Sequence, residues 1–140
     1  MTPAFDHTAL KADLRRDEGV RLKPYADTVG KLTIGVGRNL SDVGLSPAEV
    51  DVLLANDIGR VLADLDRALP WWRTLSDTRQ RALANMAFNM GVTTLLTFRT
   101  TLAHFQAGRF DQAAESALAS RWASQVGARA VRIATLIKAG

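Results

Sequence analysis

Residues 17–39 read DEGVRLKPYADTVGKLTIGVGRN, and the reading of this stretch decides the fold. Asp17-Glu18-Gly19 is a helix ending, because glycine is the residue that best turns the chain past a helix C-terminus. Residues 22–26 are extended and contain Pro24, which has no N–H to give a central ladder and is confined to an edge strand. Asp27-Thr28-Val29-Gly30 is a turn sequence. Residues 31–37 form the return strand of a hairpin. Their alternation sends Leu32, Ile34 and Val36 to the core of a small lobe, and Thr33, Gly35 and Gly37 to the opposite face.

Upstream, a helix runs from Asp6, its N-cap, to Glu18, with Leu10 and Leu14 as the buried stripe. Downstream, Ser46-Pro47-Ala48-Glu49 is a capping box with proline at the first helical position. It opens a long helix in which Val50, Leu53, Leu54, Ile58, Val61, Leu62 and Leu65 share one face. Pro70 ends it. Ser76 caps a central helix carrying Ala82, Leu83, Met86, Ala87 and Met90, closed by Gly91. Helices follow at 95–106, 109–119 and 128–138, with Phe98, Leu102, Phe105, Phe110 and Trp122 as core. The order predicts a mainly helical α+β chain, with a small β-hairpin lobe and a larger helical lobe joined by a long helix. One domain is expected over 1–140: a β lobe at 19–46, a connecting helix at 47–69, and a helical lobe from 1–18 and 70–140. Such an arrangement leaves a cleft between lobes, where ligands bind.

Composition narrows the chemistry. The chain is 47% apolar and 23% charged, as an ordinary globular domain is. There is no cysteine, which excludes disulfides, thiol nucleophiles and thiolate metal sites. Two histidines are too few for a His-rich zinc site. No phosphate loop, dinucleotide fingerprint or Gly-x-Ser-x-Gly elbow occurs. Neither metal nor cofactor is expected. Residues 1–70 carry nine Lys/Arg against eleven Asp/Glu, and residues 71–140 carry nine against three. The basic second half suits a polyanion such as a cell wall, an anionic lipid surface or nucleic acid. A solvated basic face accounts for the same charge.

The chain has three glutamates, Glu18, Glu49 and Glu115. Glu49 belongs to the capping box, and Glu115 reads as an exposed helical residue. Glu18 has neither role. It meets the negative end of the helix macrodipole beside Asp17, and partial burial under the hairpin would add to this. All three effects favour a protonated carboxyl, which a general acid requires. Asp27, at the better solvated turn, should stay ionised. Two carboxylates set apart in this way suit glycosidic bond cleavage. Thr33 offers a hydroxyl to hold a water near Asp27, and glycines such as Gly35 let a sugar approach the backbone. The spacing Glu-x8-Asp-x5-Thr alone is weak: a frayed helix end, a turn aspartate and a strand threonine would give it too.

That spacing within DEGVRLKPYADTVGKLTIGVG resembles the T-even phage lysozymes, the endolysin muramidases. So do RALANMAFNMG at 81–91, TFRTTL at 97–102, GRFDQAAESALASRW at 108–122 and the Arg129–Arg132 segment, all in the family's order. The resemblance implies hydrolysis of the β-1,4 bond between N-acetylmuramic acid and N-acetylglucosamine in peptidoglycan. It aligns Glu18 with the proton donor, Asp27 with the second carboxylate and Thr33 with its helper in positioning water. It aligns Asn39, Phe88, Thr101 and Ser116 with glycan-contacting positions, and Arg129 with an arginine that faces the catalytic glutamate. Two departures stand out. Residues 39–46 are a shorter link than the family's, and Arg38 replaces a histidine. We expect Arg38 to pair with Asp57.

The rival readings are a lytic transglycosylase, which cuts the same bond without adding water, and a cationic protein acting on membranes or walls through ARAVRIATLIKAG. A nucleic-acid partner is not expected, since no recognisable module or aromatic platform is present. A monomer is expected. No signal peptide is visible, so the resemblance implies synthesis in the host cytoplasm and release to the periplasmic wall through a holin.

Overall fold

The computed structural model describes residues 2–140. Two compact units divide within a helix, the first ending at Asp51 and the second running Val52–Gly140. The described residues form eight α-helices, a short 3₁₀ turn and one three-stranded sheet. The fold is α+β and mainly helical.

The first unit opens with α1 (His7–Glu18). Asp6 caps it, accepting the Ala9 N–H at 2.9 Å, and Gly19 (φ +75°) closes it by donating to the Arg15 carbonyl. Strands β1 (Arg21–Ala26), β2 (Leu32–Gly35) and β3 (Arg38–Asn39) follow in an antiparallel sheet of that order. Pro24 lies in the edge strand, where the register is irregular between Arg21 and Tyr25. The return strand is shorter than its sequence suggests. Gly35 (φ +70°) and Gly37 (φ +65°) take left-handed conformations that stop extension and turn the chain into β3. That two-residue strand is too short to carry a periodicity signal.

Burial in this unit corrects two expectations. Leu10 and Leu14 are 40% and 42% exposed, and no residue of α1 is buried. Over residues 32–36 it is Thr33 that is buried, at 4% exposure, while Leu32 and Val36 are exposed. Amphipathic patterning names the apolar face of an element but not the surface that covers it. A sheet of three short strands offers little such surface.

Helix α2 (Pro47–Ala68) starts at the expected capping box: Ser46 Oγ accepts the Glu49 N–H, and Glu49 Oε1 accepts the Ser46 N–H. Of its apolar face only Leu65 is fully buried. Val50, Leu53, Leu54 and Ile58 are each more than 40% exposed. After Pro70 comes the 3₁₀ turn at Trp72–Thr74, then α3 (Asp77–Met90), α4 (Val92–Leu95), α5 (Arg99–Gln106), α6 (Phe110–Leu118), α7 (Arg121–Val126) and α8 (Ala128–Ala139). Their core gathers Leu65, Trp72, Leu83, Met86, Leu95, Phe105, Ile133 and Ile137, with α8 packed on α3, α6 and α7. Trp122 is buried as expected, and its indole N–H donates to Asn89. Short α4 and α7 each span too few residues to announce themselves by pattern. No described helix is long and apolar enough to cross a membrane.

Candidate active site

Glu18 is the last residue of α1, and its side chain is exposed rather than tucked under the hairpin. Its neighbour Asp17 pairs with Arg16 at 3.1 Å, which offsets the like-charge repulsion inferred from sequence. The Glu18 carboxyl group lies against the backbone of Gly37, at the turn between β2 and β3.

Asp27 is half-buried, not a freely solvated loop tip. Its Oδ1 accepts the backbone N–H groups of Val29 at 2.9 Å and Lys31 at 2.8 Å. The turn sequence fixes this, because an aspartate opening a turn bonds the amides that follow it. The Lys31 main chain then links Asp27 to Thr33. Its carbonyl accepts the Asp27 N–H and the Thr33 hydroxyl, each at 2.9 Å. The main chain of Lys31 thus holds the Asp27 carboxylate by its N–H, and both the Asp27 N–H and the Thr33 hydroxyl by its carbonyl. Lys31 was not singled out in the sequence, although the Asx-turn pattern that creates its role is legible there.

Asn39 sits opposite Thr33 in the β2–β3 register. It exchanges hydrogen bonds with Asp42, whose carboxylate also pairs with the Lys31 ammonium at 3.1 Å. Ser41 Oγ accepts the Leu32 N–H at 2.9 Å. The short link at 39–46 is therefore stapled to β2. Gly35 leaves open space where a Cβ would stand.

Arg38 does not pair with Asp57. Its Nη1 donates to Glu49 at 2.8 Å and to the Gly44 carbonyl at 3.0 Å, while Asp57 pairs with Arg60 on its own helix. The capping-box pattern accounts for Glu49 by itself and gives no sign of this second partner. One carboxylate oxygen serves both roles, since Oε1 also accepts the Ser46 N–H. The Arg38 guanidinium, followed by the two bonds with Ser46, lowers the Glu49 pKa to about 2.

In the second unit the structure brings Thr101 and Ser116 together, their hydroxyls 2.8 Å apart. Both line a hollow of about 410 Å³ with Phe98, Trp122 and Gln125. Phe88 and Arg129 line a different hollow, of about 380 Å³, with Leu54, Ile58 and Leu62. The Arg129 guanidinium donates to Asn85 at 2.9 Å, a partner that sequence reasoning missed.

The family model described as phage lysozyme matches residues 15–138. The chain belongs to the phage lysozyme family. It is 34% identical to the pre-baseplate central spike protein Gp5 of Enterobacteria phage T4, over 91% of this chain and 27% of that protein. The chain thus spans about a quarter of the spike protein's length. It is 26% identical to probable T4-type lysozyme 1 of Dictyostelium discoideum, over 95% of each. It is 29% identical to an endolysin of Acyrthosiphon pisum secondary endosymbiont phage 1, over 89% of this chain and 85% of that one. Membership makes it a lysozyme-like enzyme, a hydrolase of bacterial cell wall, with peptidoglycan as the substrate class.

Proposed function

We propose that the chain hydrolyses the β-1,4 bond between N-acetylmuramic acid and N-acetylglucosamine, with Glu18 as proton donor and Asp27 and Thr33 directing the attacking water. The observation that supports this most is the main chain of Lys31 joining Asp27 to Thr33, through its N–H and its carbonyl, within the unit that also carries Glu18. The Thr33 hydroxyl gives its proton to the Lys31 carbonyl, so its oxygen meets a water as an acceptor. Asp27 Oδ1 is occupied by two amides, which leaves Oδ2 for the reaction. A water donating to both Asp27 and Thr33 turns a lone pair toward the anomeric carbon. As that carbon's bond to the leaving oxygen breaks, the oxygen takes the Glu18 proton. The water oxygen bonds the carbon, and its proton passes to Asp27. One water is added and the anomeric configuration inverts. Asn39, Gly35, Phe88, Thr101, Ser116 and Arg129 are assigned to glycan contacts.

Mass analysis of products from purified peptidoglycan tests this. Reducing ends heavier by one water are expected, with activity abolished in Glu18→Gln. Products in the 1,6-anhydro form would make the chain a transglycosylase instead. A cationic membrane or wall disruptor would lyse cells equally well with Glu18→Gln. The endolysin-like relatives favour a role in host lysis, with the basic second half drawing the enzyme to the anionic wall. The 34% identity to a spike protein favours a second setting, a lysozyme unit carried on a phage particle. Detection of the chain in purified virions separates the two.

A further inference from the structure

We propose that Gly37 is a positioning residue for Glu18, its missing side chain being the seat on which the acid's carboxyl group rests. This rests on the reading of Glu18 as proton donor. A methyl group built on Gly37 would stand 2.9 Å from Glu18 Oε2, 3.2 Å from its Cδ and 3.4 Å from its Cγ. Those separations are shorter than ordinary carbon contacts of about 3.5–4.0 Å. The end of the acid's side chain therefore occupies the space that a Cβ at Gly37 would need.

Gly37 is distinct from the other glycines of its unit. Gly19, Gly30, Gly35, Gly37 and Gly44 all have positive φ, so each is explained by conformation. Added Cβ atoms at Gly19, Gly30 and Gly35 would meet nothing within 4 Å, and one at Gly44 would only reach the Leu40 carbonyl at 4.0 Å. Only at Gly37 does the space itself have an occupant, and the occupant is Glu18. The alternation of the sequence suggested that bare backbone here admits a sugar. The structure fills that space with the enzyme's own acid.

The contact matters because Glu18 ends α1, and its side chain has three rotatable bonds to settle. A proton donor must lie within hydrogen-bond reach of the leaving oxygen. A displacement of about 1 Å costs on the order of 10²-fold in rate. Adding a Cβ at Gly37 displaces the far end of a flexible side chain, so the fold can persist while the acid moves.

The test compares Gly37→Ala with Gly44→Ala, whose φ of +66° matches the +65° of Gly37 and imposes the same backbone cost without touching Glu18. Kinetics on soluble glycan strands released from peptidoglycan are combined with ¹³Cδ NMR of glutamate-labelled protein. Three glutamates make the spectrum assignable, with Glu18→Gln identifying the Glu18 signal. For Gly37→Ala we expect kcat to fall about 10²-fold with KM changed less than about threefold, and the Glu18 ¹³Cδ signal to move while those of Glu49 and Glu115 stay. For Gly44→Ala we expect native kcat and an unmoved Glu18 signal. Equal kinetics and an unmoved Glu18 signal in both variants would overturn the proposal. Gly37→Asn guards against misfolding, since asparagine tolerates positive φ yet still carries a Cβ. A folded Gly37→Asn with native kcat overturns it, and so does loss of folding in both Gly37 variants. Activity retained in Glu18→Gln would instead remove the proton-donor reading itself.

Discussion

At the scale of single residues, Thr33 has two separable jobs. Its methyl and hydroxyl are buried, and its proton is committed to the Lys31 carbonyl. Thr33→Val keeps the shape and removes the oxygen. It is expected to cost about 1 kcal/mol of stability by thermal melting, and to lower kcat by at least about tenfold if the hydroxyl helps to place water. Thr33→Ser should restore most of the activity, and equal turnover in the Val and native proteins would remove Thr33 from the mechanism. The Arg38–Glu49 pair makes a prediction with a sign. The folded-state pKa of Glu49 is depressed to about 2. Its contribution to stability is therefore present above the ordinary carboxylate pKa near 4.3 and is lost as pH falls through that value toward 2. Arg38→Met should raise the Glu49 midpoint, read by ¹³Cδ NMR, and narrow the stability gap between pH 6 and pH 2. An unchanged midpoint would show that the Ser46 bonds alone hold it low. Glu18, Asp27 and Thr33 were all legible as candidates because turn and strand chemistry placed them. The residue type of Lys31 gives no such sign, because its role is played by its main chain; only the Asx-turn pattern of Asp27 points to it.

At the scale of elements, caps and turns were read well. Asp6, Gly19, Ser46, Ser76 and Gly91 bound their helices as local chemistry dictates. Ser46→Ala removes an N-cap acceptor and should destabilise by about 1 kcal/mol, measured by thermal or denaturant unfolding. A change below about 0.3 kcal/mol would mean that Pro47 and Glu49 suffice to start α2. The buried face differs from the pattern in α1, the first half of α2 and β2. The apolar stripes of α1 and of the first half of α2 exist in the sequence but are not buried. Strand β2 buries its threonine instead of its leucine, since alternation separates the two faces of a strand without saying which is covered.

At the scale of the whole molecule, the helical core follows the pattern of the sequence closely. Leu83 and Met86 are fully buried in α3, and Leu83→Ala should cost about 2–5 kcal/mol; a loss below about 1 kcal/mol in a denaturant melt would contradict that packing. The net charge of +4 comes from a second half carrying six more cations than anions, offset by two excess anions in the first. Clearing of permeabilised cells should therefore slow as salt rises from about 50 to 300 mM, as attraction to the wall is screened, while turnover of short neutral glycans changes little. A parallel fall in both would place the salt effect in the site itself.

The sequence by itself determined most of the helices and their caps, though not short α4 and α7 or the start of α5 at Arg99, and which carboxylates and hydroxyl the hairpin carries. These depend on contacts within a few residues, which local chemistry settles. Only the tertiary structure decided that Arg38 meets Glu49 and that Glu18 lies beside Gly37. Those pairings bring together residues whose proximity is set by strand register and turn geometry, and a residue's type carries no record of what folds back against it.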